Sequence, residues 1–231
     1  MVFVNEWLIF SLILFGIWLI IFLLNKKSKK EMLYVSLFTM LFGFTEPFFV
    51  PEYWSPPSLF NLALNTGFDI ESFIFAFAVG GIASVLYELK FKVKHKKISR
   101  HEMHSKRHRF HRLVLITIPL VFLVLLFFTN LNPIYSAIIS MIIGAIATYL
   151  CRPDLKNKIL FGGLLFLAVY FVFFLFFNLV YAYAVEIFWN LDVLSGVLIL
   201  GIPLEELLFA FTFGLSWSSV YEQVKWYNIK S

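Results

Sequence analysis

Eighteen consecutive residues from Trp7 to Leu24 carry no charge and run into Lys26-Lys27-Ser28-Lys29-Lys30. An uncharged apolar stretch of that length crosses a hydrocarbon core of about 30 Å as a helix. Comparable runs follow at about Met32–Val50, Asp69–Leu89, Leu113–Phe128, Ile134–Leu150 and Ile159–Val185, and again after Gly201. Inside lipid every backbone polar group must be bonded within its own segment, which leaves helix as the structure for such runs. Composition agrees: 14% of the residues are charged, against roughly 25% in an ordinary soluble domain. The expected fold class is all-α, a polytopic membrane protein with seven transmembrane helices.

The charges orient those helices. All 19 Lys and Arg fall in four clusters, at 26–30, 90–112, 152–158 and the pair Lys225 and Lys230. If the spans alternate across the bilayer, all four clusters lie on one face, the positive-inside pattern of a cytoplasmic surface. The expectation is a multi-pass protein of the cell membrane, with its N-terminus outside and its C-terminus cytoplasmic. A secretory signal peptide has its positive region ahead of the apolar stretch, and here the order is reversed. The net charge of +5 is therefore explained by membrane flanks, not by nucleic acid. The single cysteine, Cys151, excludes an intrachain disulfide and a cysteine-rich metal site.

The opening of the last run, Gly201-Ile-Pro-Leu-Glu205-Glu206-Leu-Leu-Phe209, sets two adjacent carboxylates at the mouth of a lipid-buried segment. Ionisable groups in a membrane span are costly and mark functional positions. Pro203 suits a first helical turn, where the helix dipole favours negative charge. A second copy lies 134 residues upstream, with Glu71, Phe75, Ala76, Phe77 and Gly80 opposite Glu205, Phe209, Ala210, Phe211 and Gly214. The ungapped match extends from Glu52/Glu186 through Gly67/Gly201 to Ser84/Ser218, Tyr87/Tyr221 and Glu88/Glu222, with eleven identities in all. Shared apolar composition does not place glutamate three times at equivalent positions, so the chain reads as an internal duplication. Two copies in the same orientation need an odd linker span between them. The organisation is then 3+1+3: residues 1–89 as a first three-helix repeat, 90–131 as a basic linker with an inverting fourth helix, and 132–231 as a second repeat parallel to the first.

Glu46, Glu52, Asp69, Glu71, Glu186, Asp192, Glu205 and Glu206 fall on the outer side, where no Lys or Arg is available to pair with them. Carboxyl groups removed from water without a cationic partner favour the neutral form, and a neutral carboxylic acid in an apolar pocket is a good general acid. Asp69 and Asp192 read as hydrated loop residues. Aromatic residues form 20% of the chain; most serve packing, but ring faces in a pocket stabilise a passing carbocation.

The stretch from Lys90 to Arg112 holds all five histidines. His101, His104, His108 and His111 share one face if the segment is helical, a spacing compatible with metal ligation. Glu102 is the nearby carboxylate, and the surrounding Lys and Arg repel a cation. The expectation is no metal, and a basic segment lying against anionic headgroups.

The tandem glutamate repeats, the Arg152-Pro-Asp-Leu-Lys156 turn and Gly201-Ile-Pro-Leu-Glu205-Glu206-Leu-Leu-Phe209 resemble the integral-membrane lycopene cyclase family. The likeness runs over nearly the whole chain, one cyclase domain per repeat. It implies a redox-neutral, acid- and base-driven ring closure on a linear carotenoid, with the bilayer and that hydrophobic substrate as the partners. By this resemblance Glu205 and Glu206 are the first acid–base candidates and Glu71 and Glu46 the second, with Phe75, Phe209, Trp54 and Asn178 as substrate-lining residues. The first repeat has Asp69-Ile-Glu71-Ser72, without the proline and the second glutamate, as a specialised copy. No cofactor is called for; a flavin requirement and the oligomeric state stay open, although no Gly-rich dinucleotide fingerprint is present. A 3+1+3 layout also fits a small-solute or lipid transporter, or a polyprenoid-binding scaffold without catalysis. A retinal protein needs a lysine within a span for its Schiff base, and every lysine here lies in or beside a loop on the basic side.

Overall fold

The computed structural model of the chain describes residues 5–91 and 93–230. The parts of the expected repeats and basic linker that fall on residues 1–4, 92 and 231 lie outside the described residues. Helix α1 (Glu6–Leu24) opens at Asn5, whose side chain accepts the Leu8 N–H at 2.9 Å. Helix α2 (Lys29–Met40) tightens into a 3-10 turn, Leu41–Thr45, and continues as α3 (Glu46–Phe49). The short α4 (Leu62–Thr66) sits in the loop before α5 (Ile70–Phe91). Strand β1 (Lys94–Lys97) and α6 (Arg100–Met103) precede α7 (His111–Phe128), α8 (Pro133–Cys151) and α9 (Lys156–Val180). Then come α10 (Ala184–Phe188), strands β2 (Leu198–Ile199) and β3 (Ile202–Pro203), α11 (Leu204–Trp217), α12 (Val220–Lys225) and β4 (Tyr227–Lys230).

The structure is 76% helical. Among the described residues six helical segments are long and apolar enough to cross a membrane: Glu6–Leu24, Lys29–Phe49, Ile70–Phe91, Lys106–Phe128, Pro133–Cys151 and Pro153–Val180. The chain is a multi-pass membrane protein. The expected seventh span departs from that reading. Its helix α11 has 14 residues, about 21 Å at 1.5 Å per residue, and stops at Ser218-Ser219 before α12 resumes. Both serines are fully buried, and the Ser218 hydroxyl donates to the Lys158 carbonyl of α9 at 3.2 Å.

Two small antiparallel pairings are additions to the all-helical expectation. Strand β1 of the basic stretch pairs with β4, Lys97 opposite Tyr227, and β2 pairs with β3, Ile199 opposite Ile202. The four histidines do not share a helix: α6 ends at Met103, a 3-10 turn covers Lys106–His108, and α7 starts at His111.

Helix α5 packs against α1 and α2, α11 packs against α8 and α9, and α5 meets α9 where the two trios join. In lipid no hydrophobic force draws helices together, so association rests on close packing over small residues and on interhelical hydrogen bonds. Gly80 and Gly81 of α5 face Thr39, Ser36 and Trp18, and Gly162 of α9 faces Ser218. A Cβ on Gly214 would lie 2.8 Å from the Gly162 carbonyl oxygen, so α9 and α11 approach at backbone contact. Trp18 Nε1 donates to Ser36 at 2.8 Å and Trp217 Nε1 donates to Thr39 at 2.7 Å, the second tying α11 to α2. Helix α7 packs chiefly on α8, and His111 is its one buried residue.

The two ends of the bundle differ in charge. At the basic end Lys158, fully buried in the first turn of α9, donates to Glu31 of α2 at 3.0 Å, to Glu222 of α12 at 2.7 Å and to Glu88 of α5. His95 of β1 reaches the same Glu222 oxygen at 2.5 Å. One lysine thus ties both trios together. At the other end Glu71 and Glu205 meet the loops.

Candidate active site

The motif end holds an open-sided cavity of about 330 Å³ between the two trios, with α7 as a side wall. Its surface is mostly apolar and aromatic, and among the described residues no Lys, Arg or His lines it. Two carboxylates do: Glu46 and Glu206.

Glu206 owes its aim to its place in the helix. Pro203 stands at the N-cap, one position earlier than expected, and Glu205 and Glu206 follow Leu204 in the first turn of α11. With 3.6 residues per turn, adjacent side chains leave a helix about 100° apart, so the pair is divided between two environments. Glu206 turns into the cavity and accepts three hydrogen bonds. Tyr53 OH at 2.5 Å and Trp189 Nε1 at 2.9 Å share its Oε1, and Tyr170 OH reaches its Oε2 at 2.6 Å. Burial, and then the neighbouring Glu206 carboxylate, push the Tyr53 phenol well above its ordinary range, so it stays an O–H donor.

Glu46 is positioned by the break in the second span. The Thr45 hydroxyl bonds the Phe42 carbonyl at 2.7 Å inside the 3-10 turn, and Pro47 stands in the first turn of α3. The tightened backbone brings Glu46 to the cavity, where Trp54 Nε1 donates to its Oε1 at 3.0 Å. Trp54 and Trp189 bridge by backbone and stand 5.3 Å apart between ring centroids. The chain of contacts Glu46–Trp54–Trp189–Glu206 therefore links the two carboxylates across the two halves.

Glu205 and Glu71 are elsewhere. Glu205 Oε1 accepts from Tyr135 OH of α8 at 2.6 Å and from the Ser195 N–H of the preceding loop at 2.8 Å. Glu71 Oε1 accepts from Asn5 Nδ2 at the start of α1 at 2.8 Å and from the Leu59 N–H of its own preceding loop at 2.6 Å. Both are buried, with Oε2 unpartnered, and neither lines the cavity. Each fastens a loop and a first helix to the third helix of its trio.

Of the expected substrate-lining residues, Phe75, Phe209 and Trp54 border the cavity. Asn178 does not: it is half-buried on α9, beside Gly201. Asp69, read as hydrated, is buried and accepts the Ser72 N–H at 2.5 Å and Trp7 Nε1 at 3.3 Å at the start of α5. Asp192 is exposed. Tyr53, Tyr170 and Trp189, the three donors to Glu206, escaped the sequence reading because they come from three separate segments. Tyr53 lies between Pro51 and Pro56, where no helical period marks it.

Residues 132–224 match the family model described as lycopene cyclase. The matched segment starts at the N-cap of α8 and ends within α12, and it contains Tyr135, Tyr170, Trp189, Glu205 and Glu206. That segment is similar to the lycopene cyclase family. No curated protein and no solved structure matches the chain.

Proposed function

We propose that the chain is a carotenoid cyclase that closes a ring on the end of a linear, lycopene-type polyene by acid–base catalysis in the cavity between its halves. The observation that carries this reading is the pair of carboxylates, Glu46 and Glu206, facing one apolar, aromatic-walled cavity. An apolar, aromatic wall around the reacting carbons shields a carbocation from capture by water.

In this reading Glu46 holds the proton, because it is buried beside the Asp69 carboxylate, and no cation lines the cavity among the described residues. Glu206 is the base, since three donors converge on it, the arrangement that stabilises a carboxylate anion. Glu46 gives its proton to the terminal double bond. The adjacent double bond attacks the resulting cation, one carbon–carbon bond forms, and the charge moves to a ring carbon. Glu206 then takes a proton from the neighbouring carbon and a new double bond forms. One proton enters and one leaves, so the product is an isomer of the substrate. A return transfer from Glu206 to Glu46 completes the cycle. The faces of Phe75, Phe209 and Trp54 hold the cation between these steps.

The reading takes 1–89 and 132–231 as parallel copies joined by 90–131. Three features support it: the matching packing of the trios, the like bonding of Glu71 and Glu205, and the aligned Gly67 and Gly201, both at φ +78. That value lies in the left-handed region that glycine enters without steric cost. With basic residues inside, the cavity sits toward the outer leaflet. The test is pigment analysis of lycopene-accumulating cells expressing the chain. Cyclic products are expected with the unaltered protein and lycopene alone with Glu46→Gln or Glu206→Gln at equal membrane abundance. Full product formation by both variants overturns the assignment.

A further inference from the structure

At the basic end, on the other side of the bundle from the cavity, two histidines and the chain's one cysteine converge. His108 precedes α7, His111 opens it, and Cys151 closes α8; all three are buried. The Nδ1 atoms of both imidazoles lie 3.5 Å from Cys151 Sγ, and the three ligand atoms lie within 4.8 Å of one another. We propose that this is a binding site for a thiophilic d¹⁰ cation, Zn²⁺ or Cu⁺, held by His108 Nδ1, His111 Nδ1 and Cys151 Sγ.

The distances fit. Zinc sits about 2.3 Å from a thiolate sulfur and about 2.0–2.1 Å from an imidazole nitrogen, and at a tetrahedral angle these lengths put sulfur and nitrogen about 3.5 Å apart. The outer contacts fit as well. His111 Nε2 faces the Gln223 carbonyl oxygen at 3.2 Å. A carbonyl only accepts, so that nitrogen carries the proton and Nδ1 presents a bare lone pair toward the sulfur. This backbone-carbonyl partner is the usual way a metal-bound histidine has its tautomer and ring plane fixed. Trp226 covers the pair, its ring 3.9 Å from His111 and 5.1 Å from His108 between centroids.

The charge around the site is also managed. Arg152 adjoins Cys151, but its guanidinium is turned to Asp154 at 2.7 Å and to the Glu222 and Tyr227 carbonyls at 3.3 and 2.6 Å. Arg107, Arg109 and Arg112 are exposed. Binding releases the thiol proton to solvent, so the cation arrives as the sulfur becomes anionic. Soft thiolate with imidazole selects zinc or cuprous copper over hard cations. The site's physical role is to pin α7, which otherwise packs chiefly on α8 and buries only His111.

The experiment uses the full chain, purified in detergent, stripped with a chelator and titrated with Co²⁺ alone as the spectroscopic stand-in for zinc, and separately with Cu⁺ alone under reducing conditions. Cys151 is the sole cysteine, so a sulfur-to-cobalt charge-transfer band has one origin. The expected result is one equivalent of Co²⁺ bound with that band, displaced by Zn²⁺, or one equivalent of Cu⁺ where Co²⁺ is refused; the two arms identify the ion. Cys151→Ser and His111→Ala abolish binding. His104→Ala leaves it unchanged, since His104 is exposed and bonded to the Arg100 carbonyl at 2.7 Å. The bound ion also raises the Tm of the unaltered chain and not of Cys151→Ser. Failure of the unaltered, folded chain to bind either ion overturns the proposal, as does binding that survives Cys151→Ser, and the cluster is then a thiol–imidazole hydrogen-bond network.

Discussion

Glu205 and Glu206 are identical in chemistry and adjacent in sequence, and the structure assigns them opposite fates under the same substitution. In Glu206→Gln the side chain keeps its volume but offers one accepting oxygen where three donors converge at 2.5, 2.9 and 2.6 Å. Its NH₂ must face a tyrosine hydroxyl, which then has to turn and accept. The amide also takes no proton from the ring cation. Loss of a positioned acid or base costs about 10²–10⁴-fold in rate, or about 3–5.5 kcal/mol of barrier at 1.36 kcal/mol per tenfold. In Glu205→Gln the carbonyl oxygen keeps both contacts of Oε1, to Tyr135 at 2.6 Å and Ser195 at 2.8 Å. Its NH₂ replaces the unpartnered Oε2, and a buried unsatisfied donor costs about 1–3 kcal/mol of stability. The assay pairs initial rates of pigment conversion by purified protein with thermal unfolding in detergent. Glu206→Gln is expected to lose rate with Tm nearly kept, and Glu205→Gln to lose Tm with rate kept within about tenfold. That bound is about 1.4 kcal/mol of barrier. A Glu205→Gln protein that is fully folded and inactive, beside an active Glu206→Gln, would refute the separation.

Two further outcomes follow from the hydrogen-bond network. Tyr53→Phe removes the shortest donor to Glu206 while Trp189 and Tyr170 remain. A hydrogen bond to a charged group contributes about 1.5–3 kcal/mol to stability, so Tm falls, and the less firmly held base lowers conversion; an unaltered Tm with an unaltered initial rate contradicts this. Lys158→Met strips the one lysine from Glu31, Glu88 and Glu222, and breaking a buried ion cluster from one side costs about 3–5 kcal/mol. Chemical unfolding in detergent reads the loss. Converting the three glutamates to Gln in the same chain restores most of it, and a single Lys158→Met variant as stable as its parent sinks the argument.

The spans were legible in the sequence because each is a local property. Expected and observed helices agree closely from Trp7–Leu24, seen as Glu6–Leu24, to Ile134–Leu150, seen as Pro133–Cys151. The last span is less regular than its apolar run: α11 has 14 residues and the helix is broken at Ser218-Ser219, where Ser218 also bonds the Lys158 carbonyl of α9. The strand β1 was missed because its partner β4 lies over a hundred residues away. The acidic motif was visible as a pair, but its division is a matter of helical phase. Sequence gives Glu205 and Glu206 equal standing, and about 100° of rotation sends one to a loop and the other to a cavity. Glu46 was visible as an outer-side carboxylate, yet its pairing with Glu206 depends on Trp54 and Trp189 meeting across the halves. Lys158 was placed beside a loop, which is correct along the chain, and nothing local shows that it turns inward to three glutamates.

The duplicated motif bears on why the first half contributes Glu46 to the cavity. The residue aligned with Glu206 in the first repeat is Ser72, and Ser72 lines the same cavity. The place where a second motif carboxylate would project is thus occupied by a serine, while in the proposed reading Glu46, at the start of α3, supplies the acid. If position, and not residue, is what the cavity requires, a carboxylate returned to position 72 should take over the role of Glu46. Ser72→Glu in a Glu46→Gln background tests this. Ser72 is bonded to Asp69 through both its N–H and its hydroxyl, at 2.5 and 3.1 Å; the backbone contact survives the substitution and the hydroxyl contact is lost. The longer side chain extends into the cavity, and the Asp69 carboxylate beside it favours the protonated form of the new carboxyl. Cyclisation is expected to recover at least tenfold over Glu46→Gln alone, equivalent to about 1.4 kcal/mol of barrier. If the double variant is folded, abundant and no more active than Glu46→Gln, then the backbone around Glu46, and not the presence of a carboxylate on that wall, sets the proton's delivery.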